Sequence, residues 1–190
     1  MSKSTGSTKI IVLAMLATGL FAVVGAIVVP VAYAQTTGAA AAQLSSTVSI
    51  QPKDTKPVKV TMNSNDFINA GITHSNSSNT GDVTVNEAGA YLIVASGQVG
   101  KTSGDANCNV DLWLSQNGKD VSNSNTRASV MTKDDTIVLV SQAILQLAKG
   151  DTISTMVSVS ATGQGCGLIN TAPTGEPDIP AIIFSIAKIG

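Results

Sequence analysis

The chain has 190 residues and a formal net charge of −1, and only 12% of its residues are charged. A surface that binds a phosphate backbone needs concentrated Lys and Arg, yet Arg127 is the only arginine. Aromatic residues make up 3% of the chain, too few for a platform that stacks bases or sugar rings. The composition therefore excludes nucleic acid as an expected partner.

Residues 1–34 have the pattern of a segment that directs export. Lys3 and Lys9 lie before or at the start of an uncharged apolar stretch, which ends in the small-x-small sequence Ala-Tyr-Ala. This order is typical of a secretory signal peptide, cleaved between Ala34 and Gln35. The stretch is about 22 residues long, enough to span a bilayer, so retention as a membrane anchor is the alternative. Either outcome predicts a secreted or surface-tethered protein that meets the membrane only through this segment.

Removing 34 of the 190 residues leaves 156, which suits one domain with a sizeable core. Residues 35–46 are small or polar and show no period that would bury them, so we expect a linker there. Residues 47–190 contain roughly nine or ten short apolar segments separated by turn residues, and Asn117-Gly118 is a strong hairpin signal. The pattern predicts an all-β fold, an antiparallel jelly-roll β-sandwich preceded by the N-terminal signal or transmembrane helix.

The chain contains one pair of cysteines. Cys108 and Cys166 are the only two cysteines, and neither is part of a CxxC sequence. In an exported protein such a pair predicts a disulfide. A metal or redox site is the alternative, but the sequence places no further ligand beside them.

The sequence offers no constellation for catalysis, and we do not expect an enzyme. His74 is the only histidine and lies in the polar sequence THSNSS, where a solvated loop residue is expected. No cofactor is predicted. Asp105, Asp111 and the sequence Lys133-Asp134-Asp135 leave calcium as a weaker alternative, without EF-hand spacing. Asn76-Ser77-Ser78 is an acceptor sequence for N-glycosylation.

Three predicted strands are apolar on both faces, although no helix is predicted to cover a sheet. They lie near residues 91–99, 137–147 and 182–189. Large exposed apolar patches are rare on soluble monomers, so we expect another copy of the chain to cover one face. Small side chains on a partly wet face are the alternative. The residues expected at this interface are Tyr91, Ile93, Val138, Val140, Ile183 and Phe184.

Four sequence motifs follow one another along about residues 60–190. They are Gly89-Ala-Tyr91-Leu-Ile93, the Asn117-Gly118 hairpin, Leu147-x-x-Gly150-Asp151 and a C-terminal apolar strand. Together they resemble the globular C1q/TNF-like domain, a jelly roll that assembles as trimers. The resemblance implies a homotrimer, with Tyr91 on a central strand near the threefold axis.

The expected function is therefore non-enzymatic. We expect a secreted or cell-surface jelly roll that self-associates as a trimer and acts in surface structure or binds an extracellular ligand. A subunit of an extracellular filament, assembled by β-strand donation, is the alternative. In that case the segment Ser45 to Gln51 would be the donated strand.

Overall fold

The structure is a computed structural model that describes residues 38–78 and 80–190. The predicted signal segment, residues 1–34, and its cleavage site therefore lie outside the described residues. None of the described residues forms a helix able to cross a bilayer. The strands are β1 (Ala41–Ser46), β2 (Val58–Lys59), β3 (Ser64–Ile68), β4 (Ile72–His74), β5 (Val83–Val85), β6 (Gly89–Lys101), β7 (Cys108–Gln116), β8 (Lys119–Asp120), β9 (Thr126–Val130), β10 (Thr136–Leu147), β11 (Thr152–Val159), β12 (Cys166–Leu168) and β13 (Ile182–Lys188).

The strands form two antiparallel sheets. Sheet A has the order β10-β6-β13-β1-β3, and β12 pairs with the far end of β6. Sheet B has the order β4-β5-β11-β7-β8, with β2 beside β11 and β9 beside β7. The all-β antiparallel sandwich predicted from the sequence is confirmed, and its strand order is consistent with a jelly roll.

The core lies between the two sheets because each long strand buries every second side chain. Along β6 the buried positions include Tyr91, Ile93 and Ala95, and along β7 they include Val110 and Leu112. Each of these residues is fully inaccessible to solvent. Complete burial of a large aliphatic or aromatic side chain contributes about 1.5–3 kcal/mol, so these alternating positions are a major source of stability.

The hairpin between β7 and β8 follows the sequence signal. Gln116 pairs with Lys119, and the two residues between them adopt left-handed backbone angles, with φ of 51° at Asn117 and 76° at Gly118. A two-residue type I′ turn requires this geometry at both positions, and Asn-Gly adopts it at low cost. The hairpin prediction is confirmed.

The linker expected at residues 35–46 is wrong for its second half, because Ala41–Ser46 is strand β1. It pairs with β13 on one side and β3 on the other. Ala42 and Leu44 face the core and are almost completely buried. Small side chains suit this strand because they fit closely against neighbours that come from distant parts of the sequence.

The predicted disulfide is confirmed. It joins Cys108, the first residue of β7 in sheet B, to Cys166, the first residue of β12 in sheet A. The bond therefore links the two sheets directly. Closing a loop with a sequence separation of 58 stabilises the fold by about 4 kcal/mol in the chain-entropy treatment.

Candidate self-association surface

The six residues expected at an interface divide into two groups. Tyr91, Ile93 and Phe184 are completely buried between the sheets of one chain, so their assignment to a contact between copies is wrong. Tyr91 also donates a hydrogen bond from its hydroxyl to the carbonyl of Glu87, at 2.8 Å. Burial, and then the charge of Glu87, raise the pKa of that hydroxyl.

The other three residues do reach the surface. The exposed fraction is 65% for Val138, 40% for Val140 and 38% for Ile183. Their side chains lie on the side of sheet A that is turned away from the core, here called the outer face of sheet A. Val138, Val140 and Ile183, half of the predicted set, therefore remain candidates for a contact between copies of the chain.

The strand register extends this outer face across the sheet. Ile144 on β10 lies opposite Leu92 on β6, which lies opposite Ala187 on β13. In the same way Val140 lies opposite Ser96, which lies opposite Ile183. Ile144 is 65% exposed and Leu92 is 38% exposed. Aliphatic side chains on three neighbouring strands thus form one continuous surface.

The outward positions of β10, β6 and β13 carry no charge in the described part of the chain. They are Val138, Val140, Gln142, Ile144 and Gln146 on β10, Ala90, Leu92, Val94, Ser96 and Gln98 on β6, and Ile183, Ser185 and Ala187 on β13. At about 4.8 Å between strands and about 3.4 Å per residue, the surface of these three strands measures about 14 Å by 27 Å, or about 400 Å². A patch of this size equals the largest patch on a typical monomer, and such patches are often functional.

Sequence reasoning missed Leu92 and Ile144. Both belong to the alternation that the sequence displays, since Leu92 lies between Tyr91 and Ile93, and Ile144 has the same parity as Val140. A period of two separates the two faces of a strand but does not say which face meets the core. Where both faces are apolar, the sequence pattern alone could not identify the outward set.

His74 differs from its expected position as a solvated loop residue. It is the last residue of β4 and is 9% exposed. Its Nδ1 lies 2.6 Å from Oδ1 of Asn65, and its Nε2 lies 3.1 Å from the carbonyl oxygen of Thr80. His74 thereby connects β4 to β3 and to the loop between β4 and β5.

The carboxylates expected as calcium ligands are separated in the fold. Arg127 donates to both oxygens of Asp111, at 2.7 and 2.9 Å. In residues 38–78 and 80–190 no three His, Cys, Asp or Glu side chains come together as a metal site would require. Asp82 instead accepts hydrogen bonds from Lys59 and Ser154, both at 2.7 Å. Partial burial acts to raise the pKa of Asp82, but these two hydrogen bonds and the lysine charge outweigh it and lower the pKa.

These features define a class of protein: an all-β antiparallel sandwich, joined across its sheets by a disulfide, with an uncharged and largely aliphatic outer surface on three strands of one sheet. No protein-family model matches the sequence, and no curated protein matches it. Among solved structures, the chain is similar to a crystal structure of murine APRIL at pH 5.0. The match has a TM-score of 0.49 and 13% sequence identity, and it covers 80% of this chain and 99% of that chain.

Proposed function

We propose that this protein is a non-enzymatic extracellular jelly roll whose copies associate through the outer face of sheet A. The assembly is a homotrimer, as the C1q/TNF-like motif order implies. It presents the loops at the ends of the sandwich to an extracellular ligand or to a surface layer. Joining several copies strengthens weak contacts by raising their effective concentration.

The observation that carries the proposal is the uncharged part of this outer face on β10, β6 and β13. Five large aliphatic side chains on it, from three strands, are at least 38% exposed, namely Leu92, Val138, Val140, Ile144 and Ile183. Covering them removes apolar surface from water without burying a charge, which would be costly. A stable interface covers about 800 Å² on each partner, so a surface of about 400 Å² supplies about half of one.

An extracellular location is supported by the disulfide and by the signal-like sequence of residues 1–34. Disulfides persist in oxidising compartments and are rare where thiols are kept reduced. Cleavage after Ala34 releases the protein, whereas retention of the segment tethers it at the surface. The sequon at Asn76 lies in an exposed loop after β4, where a glycan would be accessible.

In the strand-donation alternative, the segment expected to be donated is already paired within its own chain. Ser45 and Ser46 belong to β1, which is paired on both sides within its own sheet. Further along the segment, Ile50 exchanges backbone hydrogen bonds with Leu168, at 2.8 and 2.9 Å. The segment Ser45 to Gln51 is therefore occupied in its own fold.

The test measures particle mass. The full chain, produced through an export pathway so that its disulfide forms, is analysed by light scattering on a sizing column. We expect a discrete species of three chains. The paired change Leu92→Lys with Ile183→Lys is expected to give a monomer, because it places charges at the centre of the face.

A matched control carries a lysine on the other sheet. Ser158 lies at a half-buried outward position of β11 in sheet B, so Ser158→Lys should leave the mass unchanged. A wild-type protein that stays monomeric at high concentration would overturn the proposal. So would a trimer that the paired lysines on sheet A do not disturb.

A further inference from the structure

Strand β10 differs from every other edge strand in the described part of the chain. It has twelve residues and is the last strand of sheet A, so its backbone pairs only with β6. The other edge strands have at most five residues. Four of them carry a charge, at Lys59 on β2, Asp66 on β3, Lys119 and Asp120 on β8, and Arg127 on β9.

β10 lacks the features that normally protect an edge. Its sequence, TIVLVSQAILQL, contains no charged residue and no proline. Its pairing with β6 runs from Thr136 to Leu147 without a bulge. Natural proteins block free edges with short length, charge, proline or bulges, since a long, regular, apolar edge is a template for another strand.

We propose that the free edge of β10 pairs with β10 of a second copy, in an antiparallel arrangement about a twofold axis. The strand is self-complementary in this arrangement. An axis at Ser141 places Val138 opposite Ile144 of the second copy, and an axis at Gln142 places Val140 opposite Ile144. Either register joins apolar side chains on the outer face and brings no charges together.

Two cavities beside β10 provide space for the inward side chains of the added strand. One, of about 350 Å³, is lined in part by Val130, Met131 and Ile137. The other, of about 480 Å³, is lined by Val121 and Leu145 together with polar and charged side chains, among them Lys119 and Asp120. Ile137 is 53% exposed and Met131 is 66% exposed. Because Ile137 and Leu145 are eight residues apart, both point to the same side of β10. With the axis at Ser141, the half-buried Leu145 of the second copy lies opposite Ile137, beside the smaller cavity.

This contact goes beyond the proposed association through the outer face. A face contact approaches along the normal of sheet A, whereas an edge contact extends the sheet in its own plane. A chain that makes both contacts can build an extended layer, because each copy then has neighbours in two directions. The cysteine positions on β10 also belong to the outer face, so the paired lysines at Leu92 and Ile183, which do not lie on β10, distinguish the two contacts.

Engineered cysteine pairs test the edge contact in the full exported chain. The first variant combines Val138→Cys with Ile144→Cys, and the second combines Val140→Cys with Ile144→Cys. Within one chain these positions are at least about 13 Å apart at about 3.4 Å per residue, too far for a disulfide, which needs Cα atoms within about 7 Å. We expect one double variant to give a disulfide-linked dimer on mild oxidation, and all three single variants to stay unlinked.

The companion change is Ile137→Lys, which adds to β10 the kind of charge that the other edges carry. In the background of the linking variant we expect it to lower the dimer yield at least about tenfold, equivalent to about 1.4 kcal/mol of contact. The paired lysines at Leu92 and Ile183 should leave the yield unchanged. The inference is overturned if neither double variant links more than its single variants do, whatever the particle mass of the outer-face variants shows.

Discussion

The outer faces of the two sheets arise from the same alternation of side chains along their strands, but they differ in the charge of the side chains that they expose. On sheet B the outward side chains form ion pairs, with Lys59 at 2.7 Å from Asp82 and Arg127 at 2.7 Å from Asp111. Trp113, also outward, donates from Nε1 to Asp120 at 2.7 Å. On sheet A the outward positions of β10, β6 and β13 are aliphatic, amide or hydroxyl side chains. The outer face of sheet B therefore carries charged groups that favour contact with water. The uncharged outer surface of sheet A on β10, β6 and β13 favours contact with another protein chain.

The largest expected effect separates the two sides of β13, where Phe184 faces the core and Ile183 faces outward. Phe184 is completely buried, so Phe184→Ala should lower the free energy of unfolding by about 3–5 kcal/mol. Ile183→Ala should lower the stability of the isolated chain by less than about 1 kcal/mol. Urea denaturation at a concentration where the protein is monomeric measures both values.

The same pair of variants is then compared at high concentration. Ile183→Ala should weaken association more than it weakens the monomer, because its side chain contributes to the outer face. Equal losses of monomer stability for the two variants would contradict the division of β13 into a core side and an outer side.

A smaller effect is expected inside sheet B, at Thr155. Its side chain faces the core and is completely buried, and its hydroxyl has no hydrogen-bond partner among the described residues. An unsatisfied buried polar group costs about 1–3 kcal/mol, so Thr155→Val should raise the free energy of unfolding by about 1–2 kcal/mol. Thermal and urea unfolding measure this gain.

Thr155→Ser serves as the control, because it keeps the hydroxyl and removes one methyl group. It should lower stability by about 1 kcal/mol or less. A loss of stability in Thr155→Val would show that the hydroxyl has a partner in solution, and that the core side of sheet B is less uniformly apolar than described.

The ion pairs of sheet B should contribute less again. The side chain of Arg127 is 61% exposed, although it donates two hydrogen bonds to Asp111. Exposed pairs contribute about 0.2–1 kcal/mol, so Arg127→Gln should lower stability within that range. The loss should shrink in high salt, which screens exposed charges. A salt-independent loss above about 2 kcal/mol would mean that this face is covered in solution as well.

The contrast between the faces also shows what the sequence could and could not predict. Strand alternation, the Asn117-Gly118 turn and the cysteine pair are local or counted signals, and each led to the correct feature. The sequence could not determine whether Tyr91 or Leu92 points inward, because both faces of that strand are apolar. The sequence of β1 predicted a linker because its small and polar residues show no period of their own. The strand that pairs with it on one side, β13, lies about 140 residues later in the chain, so no local signal indicates that pairing.

The smallest expected effect concerns Asp151, in the turn between β10 and β11 that connects the two sheets. Asp151 accepts hydrogen bonds from the side chain of Asn117 at 2.8 Å, from the backbone N–H of Ala148 at 2.9 Å and from Gln116 at 3.0 Å. The bond from Asn117 is the largest cause of a lowered pKa at Asp151.

A carboxyl group whose pKa is lower in the folded state than in the unfolded chain stabilises the fold above its unfolded pKa of about 3.9. That stability is lost as the pH falls through the folded pKa. The stability advantage of the wild type over Asp151→Asn should therefore be constant from pH 7 to about pH 5 and decline below about pH 4. Thermal midpoints across this range measure it, with Asp134→Asn, an exposed carboxyl paired only with Lys133 at 3.4 Å, as the matched control. If the advantage grows as the pH falls, the hydrogen bonds to Asp151 favour its protonated form, and the turn does not hold the two sheets by the contacts described.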